Sequence, residues 1–323
     1  MVPAIVGTAG PTLGDDEAVL LRRCRPAGVI LFARNIQDPV QLAALTGALR
    51  DALPPHGVIM LDQEGGRVAR LRPPHWLAHP PAGALPGPRA AWITGALIGQ
   101  EAAAAGIDVV CAPVLDLHVP GAHGVIGDRA YAGTATVVAR MGAAMAAGLL
   151  AAGVQPVAKH APGHGRALID SHLGLPTVPA DQDLADDMLP FALCAAEVPW
   201  MMTAHILYLG LDAVAPGTLS PAVVRDTIRG RIGFQGVLVT DDLAMQALSG
   251  NPGGRAARAL AAGCDIALHC SGVLAESASV LDACPPMPDR TLARLAAARA
   301  MASGAREAIE VGALLTERQG LLA

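Results

Sequence analysis

Short apolar runs recur along the chain, separated by longer segments in which polar and apolar residues mix. The runs are continuous rather than alternating, which is typical of parallel strands that are buried on both faces. Eight of them stand out, at residues 4–7, 28–32, 58–62, 108–113, 155–160, 200–205, 236–241 and 265–270. The pattern therefore predicts eight strands of a parallel sheet that is covered on both sides.

The segments between most of these runs carry the Ala-, Leu- and Arg-rich pattern of helices that pack on a sheet. They lie at residues 39–53, 134–152, 181–197, 221–231 and 254–262. The first has a favourable start, because Asp38 precedes Pro39 and proline suits the first position of a helix. Alternating strands and helices in 323 residues predict an α/β fold, a single-domain (β/α)8 TIM barrel that spans residues 1–323.

An open doubly wound sheet is the alternative fold, and it needs a glycine-rich phosphate-binding turn after an early strand. The candidate is Gly-Thr-Ala-Gly-Pro at residues 7–11, in which Pro11 removes an amide donor. The barrel is therefore favoured. Two segments are expected to be irregular: residues 71–90 as a surface loop, and residues 284–290 as a turn before a final helix.

The composition indicates a large core that is filled by small side chains. Hydrophobic residues make up 52% of the chain and aromatic residues only 2%. The excess of alanine and glycine indicates helices that pack close to the sheet. The longest uncharged stretch, residues 141–158, is interrupted by Gly153 and Pro156 and is shorter than the ~20 apolar residues of a membrane span. No membrane association is expected.

Charge and cysteine content narrow the expected surroundings and partners. The net charge is −5 and no basic patch stands out, so nucleic acid is not an expected partner. Six cysteines without a Cys-x-x-Cys spacing suit buried thiols in a reducing compartment. The first residues lack a charged segment followed by a long apolar one, so a cytoplasmic protein is expected. A monomer is the expected oligomeric state.

Polar residues follow nearly every predicted strand, at the end of the barrel where TIM-barrel enzymes place their active sites. They are Arg34, Asn35, Asp62, Glu64, Asp116, His118, Lys159, His160, His205, Asp241 and Asp242. The alternative is that some of them only cap the following helix, and this interpretation is favoured for Asp242. Capping does not explain Lys159 and His160, because positive charge is unfavourable at a helix N-terminus.

Seven motifs stand in order along the chain, at or just after the ends of predicted strands. They are Leu-Phe-Ala-Arg-Asn (31–35), Asp-Gln-Glu-Gly-Gly-Arg-Val (62–68), Ala-Pro-Val-Leu-Asp (112–116), Gly-Asp-Arg-Ala-Tyr (127–131), Lys-His-Ala-Pro-Gly-His-Gly (159–165), Asp-Ser-His (170–172) and Thr-Asp-Asp-Leu-Ala-Met (240–245). Together they resemble glycoside hydrolase family 3, in its short single-domain branch of bacterial β-N-acetylglucosaminidases (β-hexosaminidases) of peptidoglycan recycling. The resemblance extends from about residue 4 to about residue 285.

The resemblance implies that Asp241 is the nucleophile of a retaining mechanism. A retaining glycosidase needs a carboxylate that attacks the anomeric carbon and forms a glycosyl-enzyme intermediate. Asp241 follows the apolar segment Gly-Val-Leu-Val-Thr, so its carboxylate is expected to point into the barrel mouth. The alternative role for this residue is that of a helix N-cap.

The proton carrier that the resemblance implies is His172, with Asp170 orienting it. Most retaining glycosidases use a second carboxylic acid for this step. A carboxylate that accepts one ring N–H fixes the tautomer and leaves the other nitrogen for the leaving oxygen. A histidine pKa near neutrality suits a group that alternates between acid and base. As an isolated feature, an Asp-x-His pattern in a loop is more often structural.

The sugar-binding positions that the resemblance implies are Asp62, Arg70, Arg129, Lys159 and His160. A carboxylate accepts from vicinal hydroxyls, and cationic side chains donate to other hydroxyls or to the N-acetyl carbonyl. The structural alternatives are a buried salt bridge between Asp62 and an arginine, and a core position for His160. Glu64 is assigned a structural part.

The expected protein is thus an exo-acting β-N-acetylglucosaminidase that uses neither metal nor cofactor and takes sugar or muropeptide substrates. A metal-dependent hydrolase is one alternative, built from His160, His164, His172, His205, Asp62 and Asp241; the first strand lacks the His-x-His pair that such barrels usually show. A sugar-binding barrel without turnover is another. A third transfers the sugar to phosphate, since a histidine does not repel the incoming dianion. Departures from the family pattern at Ala161, Arg166 and His118 leave the aglycone side open.

Overall fold

The computed structural model describes residues 1–167, 169 and 174–323. The strands among them are β1 (Val2–Gly7), β2 (Pro26–Leu31), β3 (Val58–Leu61), β4 (Val109–Val110), β5 (Gln155–Ala161), β6 (Thr177–Val178), β7 (Trp200–Thr203), β8 (Leu207–Tyr208), β9 (Val237–Val239) and β10 (Ala267–His269). Eight of them form one parallel sheet in the order β10-β1-β2-β3-β4-β5-β7-β9, and each coincides with a predicted apolar run. The short pair of β6 and β8 lies outside this sheet and was not predicted.

The two outer strands of the eight-stranded sheet, β9 and β10, approach each other. Val239 of β9 pairs in parallel with Ile266, directly before β10. The amide of Thr240 donates to the Ile266 carbonyl at 3.0 Å, and the amide of Leu268 donates to the Thr240 hydroxyl at 2.9 Å. These contacts bring the sheet into a nearly closed ring. The predicted TIM barrel is therefore confirmed over the open doubly wound sheet.

Helices surround the ring and alternate with its strands. In the described part of the chain they are α1 (Asp15–Cys24), α2 (Pro39–Ala52), α3 (Pro88–Ala104), α4 (Ala135–Ala151), α5 (Ala185–Cys194), α6 (Pro252–Ala262), α7 (Leu274–Ala283), α8 (Asp289–Gly304) and α9 (Val311–Leu322). A π-helix, Val223–Arg231, stands between β8 and β9. None of the described helices combines the length and the apolar character that a membrane crossing requires.

All five predicted helical segments are helical, but their details differ from the prediction. The predicted helix at 221–231 is wound as a π-helix, with the amide of Ile232 donating to the carbonyl of Thr227 at 2.8 Å. The predicted loop at 71–90 ends early, because α3 begins at Pro88, where proline takes the first helical position. The turn before α8 is confirmed, whereas α9 beyond it was not predicted.

Apolar side chains fill the inside of the ring, as is usual in TIM barrels. Ile5, Met60, Val157 and Trp200 are fully buried there. The indole Nε1–H of Trp200 donates to Gln155 Oε1 at 2.9 Å, so the largest ring inside the barrel has its polar atom satisfied. Because the interior is packed, a substrate site is expected above it, at the carboxyl ends of the strands.

Small residues allow close packing of the outer helices. A Cβ on Gly95 of α3 would lie 2.3 Å from the carbonyl oxygen of Met145 in α4. A Cβ on Gly148 of α4 would lie 2.1 Å from the carbonyl oxygen of Trp92 in α3. Neither position has room for a larger side chain, so these two glycines are required for the close approach of α3 and α4.

Candidate active site

A cavity of about 220 Å³ opens at the carboxyl ends of the strands. Its polar lining consists of Asp62, Glu64, Arg67, Arg70, Arg129, Lys159, His160, His164, Asp241 and Asp242. Its apolar lining consists of Ile30, Phe32, Val68, Val125, Met202, Met245, Leu268 and Cys270. The volume lies below the roughly 300–1,000 Å³ of sites for drug-sized ligands, so the cavity suits one small, polar ring.

The structure brings together most of the polar residues that were expected at the strand ends. Asp241 and all five predicted sugar-binding positions line the cavity. Asp116 and His205 are buried and do not line it. His118 is exposed and also lies outside the lining, so the departure at this position does not change the walls of the cavity.

Lys159 joins two carboxylates that follow β3. Its Nζ lies 2.9 Å from Asp62 Oδ1 and 2.7 Å from Glu64 Oε1, and its side chain is only 3% exposed. Arg70 contacts the other oxygen of Asp62, with Nη2 and Oδ2 3.2 Å apart. The salt bridge expected between Asp62 and an arginine is therefore present, and it coexists with a position in the cavity lining.

Arg129 and Glu64 form a bidentate pair at the other side of this network. Nε and Nη2 of Arg129 lie 2.8 Å from Glu64 Oε2 and Oε1, and Nη1 donates to the carbonyl of Val125 at 3.1 Å. Glu64 is thus held between the cations Lys159 and Arg129, which agrees with the structural role predicted for it. The sugar contact predicted for Arg129 stays a prediction, because its described bonds orient Glu64 and the segment around Val125.

The network keeps both carboxylates ionised. Burial alone would raise the pKa of Glu64, but Lys159 and Arg129 lower it to about 2. Burial would also raise the pKa of Asp62, but Lys159 and Arg70 lower this pKa below its ordinary value. The pKa of Lys159 is raised, because the attraction of both carboxylates outweighs the effect of burial. The cavity therefore presents fixed charges to a ligand at neutral pH.

Removing the Glu64 charge is expected to destabilise the fold. The Glu64→Gln variant leaves Lys159 and Arg129 without their shared carboxylate, and breaking a buried pair in this way costs about 3 kcal/mol in free energy of unfolding. Urea denaturation at neutral pH measures the change. Asp128→Asn is the matched control, because it removes an exposed pair with Arg67 and is expected to cost less than about 1 kcal/mol. Equal losses of unfolding free energy in the two variants would contradict the structural role of Glu64.

The stability difference between the wild type and Glu64→Gln is expected to depend on pH. The pKa of Glu64 is about 2 in the folded protein and 4.5 ordinarily, so the unfolded chain binds the proton more readily between these values. The stabilisation is complete above about pH 4.5 and is lost as the pH falls toward 2. The stability difference between the wild type and Glu64→Gln should shrink over this window, and a difference that is constant with pH would count against it.

His160 is oriented by a buried carboxylate. Its Nδ1 lies 2.7 Å from Asp116 Oδ2, and Asp116 Oδ1 accepts from the backbone amide of His164 at 2.7 Å. Burial would raise the pKa of Asp116, but His160 beside it lowers the pKa below its ordinary value. An ionised Asp116 accepts a hydrogen bond from the Nδ1–H of His160, so the ring is fixed and Nε2 remains for other contacts. His160 therefore has both the buried position that was proposed as the alternative and a place in the cavity lining.

Asp241 follows β9 and is placed by its own backbone. Its Oδ1 accepts from the amide of Asp242 at 2.8 Å. Burial would raise the pKa of Asp241, but His160 and His205 lower it below the ordinary value. The carboxylate is therefore ionised at neutral pH, and Oδ2 makes no hydrogen bond to any described residue. An ionised carboxylate oxygen without such a bond in a small cavity is what nucleophilic attack requires.

Two residues next to Asp241 hold the backbone of this segment. Asp242 Oδ1 accepts from the amides of Ala244 at 2.8 Å and Cys270 at 2.9 Å, so it caps the following turn and also ties it to β10. His205 Nε2 donates to the Asp242 carbonyl at 2.9 Å, and its Nδ1 lies 2.7 Å from the hydroxyl of Thr218. The sequence pattern indicated His205 and Asp242, but it gave no signal for Thr218.

Arg34 connects three strand ends rather than lining the cavity. Its Nε donates to the carbonyl of Thr8 at 2.9 Å, and Nη2 donates to that of Cys270 at 2.6 Å. The guanidinium groups of Arg34 and Arg70 lie 4.9 and 5.2 Å from the centre of the Phe32 ring. Phe32 is thus the aromatic part of the lining and is held by two cations.

Comparison with known families decides the class of this site. Residues 9–289 match the family described as "Glycosyl hydrolase family 3 N terminal domain". The chain belongs to glycosyl hydrolase family 3. The predicted resemblance is therefore confirmed, and the cavity at the barrel mouth is the candidate active site of a glycoside hydrolase.

Several relatives of this family 3 chain match it over nearly its whole length. A β-hexosaminidase from Alkalilimnicola ehrlichii is 39% identical over 314 residues, which cover 91% of this chain and 88% of that protein. A β-hexosaminidase from Methylococcus capsulatus is 40% identical, with coverage of 96% and 94%. The crystal structure of NagZ from Neisseria gonorrhoeae in complex with N-trifluoroacetyl-D-glucosamine has a TM-score of 0.86 and 30% identity, and the match covers 100% of this chain and 98% of that one.

Two of the catalytic residues predicted from the family 3 motifs, Asp170 and His172, lie outside the described residues. Their roles as orienting group and acid/base therefore stay predictions. The segment before them is anchored at Arg166, whose Nε lies 2.7 Å from Asp187 Oδ2. The hydroxyl of Tyr208 donates to the carbonyl of Gly163 at 2.8 Å. The unusual arginine at 166 thus has a structural partner on α5.

Two of the groups proposed for the metal-dependent alternative, Asp62 and His160, already have charged partners. Asp62 pairs with Lys159 and Arg70, and His160 pairs with Asp116. In the parts of the chain that the structure describes, no cluster of three or more His, Cys, Asp or Glu side chains is arranged to hold a metal ion. Metal independence stays a prediction, which a chelator tests.

Proposed function

We propose that this family 3 hydrolase is a retaining exo-β-N-acetylglucosaminidase that releases N-acetylglucosamine from N-acetylglucosaminyl-anhydromuramyl peptides in peptidoglycan recycling. The β-hexosaminidase names of the relatives support the reaction, and the sugar analogue bound to the NagZ neighbour supports the substrate sugar. The anhydromuramyl aglycone and the recycling role rest on the family resemblance. We also propose that the enzyme is cytoplasmic, because its six cysteines suit a reducing compartment, and that it is a monomer.

The observation that carries the proposal is the ionised Asp241 in a cavity of about 220 Å³ that also holds Asp62, Lys159 and His160. The floor of the cavity is the packed barrel interior, so a chain of sugars does not pass through it. A cavity that takes one ring and is closed below suits removal of a terminal sugar. This geometry supports an exo-acting enzyme.

The reaction begins with attack by an oxygen of Asp241 on the anomeric carbon. The bond from this carbon to the leaving oxygen breaks, and His172, oriented by Asp170, donates its proton to that oxygen. The product of the first step is a glycosyl ester on Asp241. In the second step His172 takes a proton from water, the hydroxide attacks the anomeric carbon, and the ester bond to Asp241 breaks. The sugar leaves with its β configuration retained, and both residues return to their starting charge.

The ion network would recognise the hydroxyls of the sugar. Asp62 keeps 18% of its side chain exposed to the cavity although Lys159 and Arg70 contact it. Each carboxylate oxygen has more than one acceptor direction, so Asp62 can accept from sugar hydroxyls while it holds both cations. Lys159 has a third N–H beyond its two carboxylate contacts, and it can donate to the sugar.

A panel of aryl β-glycosides tests the proposed substrate. We expect 4-nitrophenyl N-acetyl-β-D-glucosaminide to have a kcat/KM roughly 100-fold or more above that of the β-D-glucoside and the β-D-xyloside. The reason is that groups placed for the acetamido group stay unpaired when a hydroxyl takes its place, as it does in both the glucoside and the xyloside. Equal values across the panel would reject N-acetylglucosamine as the specific sugar, and no turnover at all would favour a sugar-binding barrel.

Two additions to the same assay separate the remaining alternatives. Treatment with a chelator followed by desalting is expected to leave the rate unchanged, and a loss that zinc restores would support the metal-dependent hydrolase. Exchange of a neutral buffer for inorganic phosphate at equal pH and ionic strength is expected to give the free sugar as the product. Accumulation of the sugar 1-phosphate would show transfer to phosphate instead.

A further inference from the structure

Helix α9 contacts the loop that carries His79, and a chain of three polar side chains extends from α9 through this loop to α3. Arg318 of α9 is 7% exposed, and its Nη1 lies 2.9 Å from His79 Nδ1. His79 Nε2 lies 2.8 Å from Glu101 Oε2 on α3, and the His79 side chain is fully buried. Because a guanidinium only donates, His79 Nδ1 accepts the hydrogen bond from Arg318. The proton of the ring is then on Nε2, which donates to Glu101. We call these residues the Arg318–His79–Glu101 triad.

The triad fixes the position of the loop that carries His79. A buried guanidinium is costly unless its donors are satisfied, so the contact with Arg318 favours one placement of the His79 ring. The other carboxylate oxygen of Glu101, Oε1, accepts from the amide of Leu77 at 2.7 Å. Glu101 therefore holds both the side chain of His79 and the backbone two residues earlier.

The backbone at His79 in turn packs directly on the turn that follows Glu64. The carbonyl of His79 accepts from the amide of Gly66 at 2.9 Å. Gly65 and Gly66 have φ angles of +99° and +55°, a region that favours glycine. A Cβ on Gly65 would lie 2.3 Å from the carbonyl oxygen of Pro80, so the two segments touch without space for a side chain.

This glycine turn connects the charged residues of the cavity. Asp62 and Glu64 precede it and Arg70 follows it, and all three line the cavity. The turn is closed by the amide of Glu64, which donates to the carbonyl of Val68 at 2.8 Å. A displacement of the turn by a fraction of an ångström would therefore move the carboxylates away from Lys159.

We infer that Arg318 is a positioning residue for sugar binding: through His79 and the Gly65–Gly66 turn it fixes the carboxylates of Asp62 and Glu64 in the cavity. Helix α9 is then part of the binding machinery, although it contributes no residue to the cavity lining. The inference rests on the proposed function, because it assigns the effect to binding of N-acetylglucosamine. The triad fixes the position of the turn whether or not a substrate is bound.

Calorimetric titration with N-acetylglucosamine on the full chain tests the binding part. Arg318→Ala is expected to weaken binding about ten-fold, and to raise KM for the aryl N-acetylglucosaminide by a similar factor while kcat changes little. Arg318→Lys keeps a cationic donor and should recover part of the loss. Arg89→Ala is the matched control, because it removes the exposed pair of Arg89 with Glu317 on the same helix interface. Equal binding by Arg318→Ala and Arg89→Ala would overturn the inference.

Amide hydrogen exchange at Gly66 tests the structural part without reference to activity. Its amide should exchange faster in Arg318→Ala than in the wild type and in Arg89→Ala, and an unchanged rate would overturn the inference. If Arg318→Ala does not fold, the urea dependence of exchange in the wild type decides, since Gly66 should open together with the amides of α9. Protection of Gly66 after α9 has opened would overturn it. A wild type that does not bind the sugar would reject the proposed function, while the exchange result would still stand.

Discussion

The Asp241→Ala variant is expected to lose turnover of the aryl N-acetylglucosaminide by a factor on the order of 10⁴. Without the carboxylate, no group forms the glycosyl ester, and the ionised oxygen that would face the developing positive charge at the anomeric carbon is gone. The loss should appear in kcat, because Asp62 and Lys159, the residues proposed to bind the sugar, are unchanged in this variant. Steady-state kinetics on the folded variant measures it.

The adjacent aspartate provides the matched control for this variant. Asp242 is also at the cavity, but its Oδ1 is occupied by the amides of Ala244 and Cys270. Asp242→Asn removes the same amount of charge one residue away, and it is expected to lower stability and to keep most of kcat. If Asp242→Asn lost as much kcat as Asp241→Ala, the assignment of the nucleophile to Asp241 would be wrong.

The second large effect is expected from His172→Ala, and it should depend on the leaving group. An acid/base residue contributes roughly 10²–10⁴-fold when the leaving oxygen needs a proton. The loss in kcat/KM should therefore be of this size for a natural muropeptide or an alkyl glycoside. For 2,4-dinitrophenyl N-acetyl-β-D-glucosaminide it should be small, because that leaving group departs as an anion. Comparing the two substrates separates proton donation from a loss of structure.

Two further variants complete this test. Asp170→Asn should show the same dependence on the leaving group with a smaller loss, because the imidazole remains but is no longer oriented by a charge. His118→Ala removes a histidine that is exposed and outside the cavity lining, and it should behave as the wild type. A loss in His172→Ala that is equal for good and poor leaving groups would exclude a role as proton donor.

The strands of the barrel could be predicted from sequence because each is buried on both faces. Residues such as Ile5, Met60 and Val239 are fully buried, so most positions of each run are apolar and the run stands out in the sequence. The bounds and winding of the helices were harder to predict from the sequence, because they depend on individual backbone hydrogen bonds. The π-helix Val223–Arg231 within the predicted segment 221–231 is an example, because its winding depends on the approach of Ile232 to Thr227 and not on composition.

The short pair of β6 and β8 gave no signal of its own. Each of these strands has two residues, and they pair across about thirty positions of the chain, so the partner is set by the tertiary fold. Helix α9 was missed for a related reason. Only Leu314 and Arg318 of this helix are buried, and one of these two side chains is charged.

The cavity residues were predictable from their places at strand ends, but their pairings were not. Glu64 and Arg129 are 65 positions apart, and nothing in either motif indicates that they form a bidentate pair. The partner of His160 was also hidden, although Asp116 had been singled out as a polar residue at a strand end. His79 and Arg318 were not indicated at all, since neither lines the cavity and both lie in segments without a motif.

Mass spectrometry of the trapped intermediate tests the role of Asp241 most directly. A 5-fluoro N-acetylglucosaminyl fluoride slows both chemical steps by destabilising positive charge at the anomeric carbon, while its leaving group still allows the first step. After digestion of the inactivated enzyme, we expect one added fluorosugar on the peptide that contains Thr240, Asp241 and Asp242, with fragmentation assigning it to Asp241. A sugar bonded to another residue, or steady turnover with no bonded sugar at any time, would contradict the mechanism.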